Sequence, residues 1–168
     1  MTPTYKAPDR LTLDRSVLVV IDIQERFRDI IHGMDQVVQG ASRLIQFSHQ
    51  LDVPILVTEH YSRGFGVTVT ELRNLFKPLK PLEKIHFSCA SDDGFNKALA
   101  GTGRDQIILC GIEAHVCIYQ TAADLIRAGK QVAVAVDTVS SCSAENRQIG
   151  LNRMSEIGVQ SMGVQMLM

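Results

Sequence analysis

The sequence predicts a three-layer α/β domain, with helices on both faces of a mostly parallel sheet. Three observations lead there. Short apolar runs recur along the chain, stretches of amphipathic helical spacing lie between them, and 168 residues that are 45% apolar suit a single domain spanning residues 1–168. The first run, residues 17–21 (V-L-V-V-I), is continuous and β-rich, as in a strand buried on both faces. Val37, Val38, Ala41, Leu44 and Ile45 then follow the i, i+1, i+4, i+7, i+8 stripe of a helix with one apolar face. Pro54 precedes the second run, 55–57. Residues 61–84 form the longest irregular stretch, carrying R-G-F-G at 63–66 and prolines at 78 and 81. A loop of that length reads either as a lid over the strand ends or as a surface excursion that only packs. Around Lys84, E-K-I-H-F-S is short and β-like, and residues 91–99 predict a short helix ending at Gly101. The run I-I-L-C at 107–110 leads to a helix marked by Ile118, Ala122, Leu125 and Ile126, which Gly129 ends. V-A-V-A-V at 132–136, a helix over 143–157 stopped by Gly158, and a last strand from Val159 complete the alternation. Right-handed crossovers would connect such βα units.

Composition excludes several functions. Lys+Arg 17 against Asp+Glu 18 leaves a net charge of −1, and no run of five like charges offers a footprint for nucleic acid or anionic lipid. No apolar run approaches the ~20 residues that cross a bilayer, and residues 1–14 are polar, without the apolar core of a signal peptide. The expectation is a cytoplasmic protein with no nucleic-acid partner and no membrane partner. Cys89, Cys110, Cys117 and Cys142 lack C-x-x-C spacing, which argues for reduced thiols over a disulfide framework or a zinc cluster. The five histidines show no H-x-x-x-H spacing, so there is no metal signal there.

In an open parallel sheet, ligands bind beyond the carboxyl ends of the strands, which selects a few residues. Asp22 follows the first run directly; it reads as a base tuned by desolvation or as a cap of the next turn. Cys117 lies in G-I-E-A-H-V-C, opening a helix, where the dipole and unpaired N–H groups favour a thiolate. It reads as a nucleophile or as a buried thiol. Lys84 would hold a neighbouring thiolate and carboxylate anionic, or lie on the surface, and His86 or His115 would offer a Cys-His pair or simply pack.

D-I-Q-E-R-F at 22–27, the Lys84 segment and G-I-E-A-H-V-C at 111–117, in that order, resemble the isochorismatase-like cysteine hydrolase superfamily over residues 16–168. T-E-H-Y at 58–61, the G-F-G loop and V-D-T-V-S-S at 136–141 look closest to its isochorismatase domain-containing subgroup. The resemblance implies a Rossmann-like, isochorismatase-like hydrolase fold and a catalytic triad of Asp22, Lys84 and Cys117. Asp22 would take the thiol proton, Lys84 would steady the ion pair, and Cys117 would attack a carbonyl-type carbon. It implies further a non-proline cis peptide between Ile112 and Glu113 and an oxyanion hole from the N–H groups of Glu113 and Cys117. The family threonine is Ala114 here, and the metal-binding D-x-H of nicotinamidases is replaced by T-E-H-Y, so no metal and no cofactor are expected. Gln24, Phe27, Glu59, Tyr61, Ile112 and His115 become expected substrate-binding residues; Glu59 and His115 alternatively brace loops.

The leading expectation is a metal-independent cysteine hydrolase of a small amide-like or related carbonyl substrate, with an acyl-cysteine intermediate. The alternatives are vinyl-ether hydrolysis resting on Asp22, and a thiol redox sensor or binding protein without turnover. The apolar tail V-Q-M-L-M at 164–168 and the family's habit both point to a homo-oligomer.

Overall fold

The computed structural model describes residues 10–76, 78 and 80–168. The polar N-terminal reading concerns residues 1–9 in large part, which lie outside the described residues. Strands β1 (Ser16–Ile21), β2 (Ile55–His60), β3 (Leu82–Lys84), β4 (Gln106–Ile112), β5 (Gln131–Ser140) and β6 (Gln160–Met162) form one sheet. Their order is β3-β2-β1-β4-β5-β6, and every pairing between them is parallel. Helices α1 (Met34–Gln50), α2 (Ser62–Phe65), α3 (Thr70–Arg73), α4 (Asp93–Thr102), α5 (Tyr119–Arg127), α6 (Ala144–Glu156) and α7 (Val164–Leu167) complete the chain.

Alternation along β1 divides the core between two layers. Leu18 and Val20 point toward Val37, Ala41 and Leu44 of α1 and Val164 of α7. Val17, Val19 and Ile21 point toward Phe95 and Leu99 of α4, Ile118, Ala122 and Leu125 at α5, and Met154 of α6. All five of these β1 side chains are buried, and each such side chain contributes about 1.5–3 kcal/mol. The sheet order reverses direction between β1 and β4, and the crevice at that reversal is where an open α/β sheet takes its ligand.

Two backbone features fix the crevice. Gly111 pairs with Ile21 at φ +123°, and a Cβ there would stand 2.0 Å from the Ile21 carbonyl oxygen, so only glycine lets β4 lie this close to β1. Between Leu109 and Gly111 the register against β5 shifts from Val134 to Val139, and the bulge sets Ser140 beside Ile112.

Two expectations need correction. The helix read over 91–99 is α4, which starts later because the Asp92 carboxylate caps it, accepting from the N–H groups of Gly94 and Phe95. It also runs through Gly101 and stops at Gly103, which takes φ +67°. The irregular stretch 61–84 holds α2, α3 and β3. No apolar run marks β3, because a three-residue edge strand needs none.

Candidate active site

Asp22, at the tip of β1, takes a left-handed conformation (φ +56°), which aspartate tolerates better than most residues. Its side chain is turned inward and buried. Thr58 Oγ1 donates to Oδ1 at 2.7 Å, and Lys84 Nζ lies 2.6 Å from Oδ2. Lys84 comes from the end of β3, and only 2% of each partner is exposed. The ammonium also donates to the carbonyls of His86 (3.1 Å) and Phe87 (3.2 Å) and stands 3.7 Å from Cys117 Sγ.

Cys117 sits in a single π-turn, Ala114–Ile118, that precedes α5. Such turns cluster at functional sites. The Ile112–Glu113 peptide before it is cis. Gly150 of α6 allows the approach, since a Cβ there would lie 2.7 Å from backbone atoms of Ala114 and His115. The Lys84 ammonium thus touches both the Asp22 carboxylate and the Cys117 thiol. The three residues read from the sequence as base, cation and nucleophile therefore meet in one buried cluster, drawn from three strand ends.

A cavity of about 140 Å³ opens onto Asp22 and Cys117. Phe27, Phe65, Phe87 and His60 form one wall; Ile112, Glu113 and Val116 form the other. Phe27 stacks on Phe65 with centroids 4.9 Å apart, and His60 packs between Phe65 (5.6 Å) and Phe87 (5.7 Å). Burial, and then the Lys84 ammonium, hold His60 below its ordinary value, so it is neutral at pH 7. Its Nδ1 is buried with no hydrogen-bond partner among the described residues. A larger cavity, about 300 Å³, lies at the opposite end of the strands between α1 and the C-terminus, and among the described residues Arg10 is its one titratable lining residue.

Of the six expected substrate-binding residues, Phe27 and Ile112 line the cavity. Gln24 does not: it is fully buried, donating to the carbonyls of His60 and Gly66 and accepting from His60 N–H, and so it pins the loop after β2. Glu59 likewise accepts from Thr68 N–H and Oγ1, and His115 Nδ1 lies 3.0 Å from Ser141 Oγ. Both brace loops. Tyr61 is half exposed and outside the lining. His60, Phe65, Phe87 and Val116 were not singled out from sequence. Each lies inside a quoted stretch, T-E-H-Y, R-G-F-G, E-K-I-H-F-S or G-I-E-A-H-V-C, yet nothing in those stretches marked it as a cavity-wall residue.

The dipole argument anticipated a lowered Cys117 pKa, and here the structure differs. Burial, followed by the Asp22 carboxylate, pushes this thiol up, and Lys84 offsets only part of that. Burial drives Cys89 and Cys110 to about 12 as well. Burial opposes the charge on Lys84, yet the pull of Asp22 and the two thiols Cys89 and Cys117 raises its value. A group with a raised folded pKa keeps its proton more tightly when folded. Its contribution is intact below the unfolded value, ~8.5 for a thiol and ~10.4 for lysine, and is lost as pH climbs toward the folded value. Stability is therefore expected to fall from about pH 9 upward, by roughly 1.4 kcal/mol per pH unit for each buried thiol. Urea unfolding at stepped pH measures the slope. Cys110→Ala should flatten it by one thiol's share, and an unchanged slope in that variant would remove the thiols as its cause.

Comparison with known proteins gives consistent matches. The isochorismatase domain matches residues 16–166. Isochorismatase domain-containing protein 2 of Danio rerio is 40% identical over 150 residues, covering 89% of this chain and 75% of that one. Among solved structures, the MAR1 ribonuclease of Caenorhabditis elegans superposes with a TM-score of 0.89 at 33% identity, over 95% of this chain and 82% of the other. YcaC of Pseudomonas aeruginosa reaches a TM-score of 0.91 at 20% identity, over 98% and 83%, a likeness of fold. Among the described residues no helix is long and apolar enough to cross a membrane.

Proposed function

The chain belongs to the isochorismatase family, with the hydrolase fold of that family, and from this premise we propose that it is a metal-independent cysteine hydrolase of small, uncharged amide-like compounds. The observation that carries the proposal is the contact of one buried thiol with a carboxylate-ammonium pair at the floor of an apolar cavity.

The thiol is neutral at rest, so the reaction begins with proton transfer. Asp22 takes the Cys117 proton as sulfur adds to the substrate carbonyl, and the carbonyl oxygen becomes an oxyanion. Backbone N–H groups of Glu113 and Cys117, both at the cavity wall, receive that oxygen. Lys84 compensates the charge that moves between sulfur and carboxylate. Collapse breaks the C–N bond, the amine leaves with the proton from Asp22, and an acyl-cysteine remains. Water then attacks the thioester as Asp22 accepts its proton; the acid departs and the thiol takes the proton back.

The wall chemistry selects the substrate class. A cavity of about 140 Å³ lined by three phenylalanines suits a small flat or apolar group, and the free Nδ1 of neutral His60 offers one hydrogen bond. Among the described residues no Lys or Arg lines it, so RNA, the implied substrate of the worm relative, finds no basic track there. Peroxide sensing needs a low-pKa exposed thiolate, the reverse of a thiol pushed up by burial. The expected homo-oligomer is part of the same reading, supported by the exposed apolar side chains of Ile85, Phe87, Met166 and Met168.

The test is a panel of small amides, esters and nitriles, with RNA and a vinyl ether as contrasts, followed by quenched intact-mass spectrometry. Turnover of an amide or ester with an acyl adduct mapped to Cys117 is the expected result. Turnover of the vinyl ether without any adduct would transfer the chemistry to Asp22 alone and overturn the covalent mechanism.

A further inference from the structure

Beyond the hydrolytic cluster, the ends of β4 and β5 bring a second set of chemical groups together. Ile112 lies opposite Ser140 in the sheet, so the residues just past each strand end are neighbours. There a carboxylate oxygen of Glu113, an imidazole nitrogen of His115 and the sulfur of Cys142 lie within 4.8 Å of one another. Glu113 and His115 are half-buried and Cys142 is exposed. We propose that these three side chains form a site for a zinc-like divalent cation, at the rim of the cavity and built from side chains the hydrolysis does not use.

The donor set carries the assignment. One thiolate, one imidazole and one carboxylate combine soft, borderline and hard ligands, a set that Zn²⁺ takes and that Mg²⁺ and Ca²⁺ do not. Three protein ligands leave one tetrahedral position open toward solvent. Around zinc, with bonds of about 2.0–2.3 Å, ligand atoms stand roughly 3.5 Å apart, so the group closes by about 1 Å on binding. The exposed Cys142 side chain has room for that movement.

The surroundings already orient the ligands. Glu113 Oε2 accepts from Cys142 N–H at 2.7 Å, which holds the carboxylate over the loop that carries the sulfur. Ser141 Oγ lies 3.0 Å from His115 Nδ1, which fixes the ring beside the loop that carries the sulfur. Asn146 Nδ2 is 3.3 Å from Cys142 Sγ, a donor that steadies a thiolate. The β5 bulge, which sets Ser140 beside Ile112, makes this meeting possible.

The experiment is titration of the reduced full chain with Zn²⁺ against a chromogenic chelator, paired with Co²⁺ absorption spectroscopy. One Zn²⁺ per chain is expected, with a thiolate-to-cobalt charge-transfer band. Cys142→Ser, an isosteric change at an exposed position, should weaken Zn²⁺ at least ~10-fold and remove the band. Glu113→Gln, which keeps the acceptor for Cys142 N–H, should weaken it similarly, while Cys117→Ser leaves binding intact. Absence of stoichiometric Zn²⁺, retention of full affinity in Cys142→Ser, or loss of the site in Cys117→Ser would each overturn the assignment. Because binding is read without substrate, this result stands apart from the fate of the hydrolase proposal.

Discussion

Lys84→Met is expected to cost about 3–5 kcal/mol of folding stability and to abolish turnover. The side chains are similar in length, so the loss is one of charge and hydrogen bonds. The native ammonium lies 2.6 Å from Asp22 Oδ2 and donates to two backbone carbonyls, all in a region from which water is excluded. Removing it leaves the Asp22 carboxylate buried beside Thr58 and a thiol, with no cation, and strands the carbonyls of His86 and Phe87. The pair is not thereby a net source of stability. Burying both charges carried its own desolvation penalty, and an uncharged replacement of both partners avoids it. The double variant Asp22→Asn/Lys84→Met should therefore recover most of the stability lost in the single variant, while turnover stays absent. Urea unfolding and a turnover assay, run on the same preparations, separate the two roles. A single variant as stable as the parent chain, or a double variant no better than the single one, would mean that the pair is not electrostatically coupled.

The same burial explains what the sequence made legible. Strands covered on both faces need continuous apolar runs, so β1, β4 and β5 stand out, and the first polar residue after β1 is Asp22. Cys117 is found by the same rule. Lys84 was a candidate with a surface position as its open alternative, and only the resemblance favoured the buried reading, since a lysine at the end of a three-residue edge strand has no local signal of burial. Gln24 and Glu59 also follow or end strands as buried polar residues, yet their hydrogen bonds go to the loop after β2. Polarity at a strand end marks a buried polar group; whether it faces a cavity or a loop is decided by long-range contacts. The aromatic wall was hidden for a related reason. His60, Phe65 and Phe87 come from three separate segments, and nothing within any one of them separates a cavity wall from ordinary packing. The thiol pKa failed differently. A helix-end dipole was weighed without the burial and the neighbouring carboxylate that outweigh it here.

That reversal gives the second large effect: Asp22→Asn should lower turnover by ~10²- to 10⁴-fold and yet make Cys117 more reactive toward an alkylating agent. The carboxylate is the largest influence after burial that holds the proton on sulfur, while Lys84 pulls the other way. Without the carboxylate the ammonium remains, a thiolate beside it is favoured, and the thiolate is the species that alkylates. Catalysis suffers because the same carboxylate is the proton's destination during attack and its source for the departing amine. Iodoacetamide labelling, read cysteine by cysteine by mass spectrometry across pH, follows the thiol. In the parent chain exposed Cys142 should react first, and buried Cys89 and Cys110 should stay unmodified while the fold holds. Cys117 labelling should climb into the alkaline range without a plateau near neutrality, and the Asp22→Asn curve should lie at lower pH. Cys117→Ala sets the baseline for both readouts, with turnover lost. A neutral plateau in the parent chain would mean that the thiolate stands preformed, so that Asp22 is not its base. If Asp22→Asn slows labelling and turnover together, the carboxylate acts by ordering the site, and the proton must leave sulfur by another route.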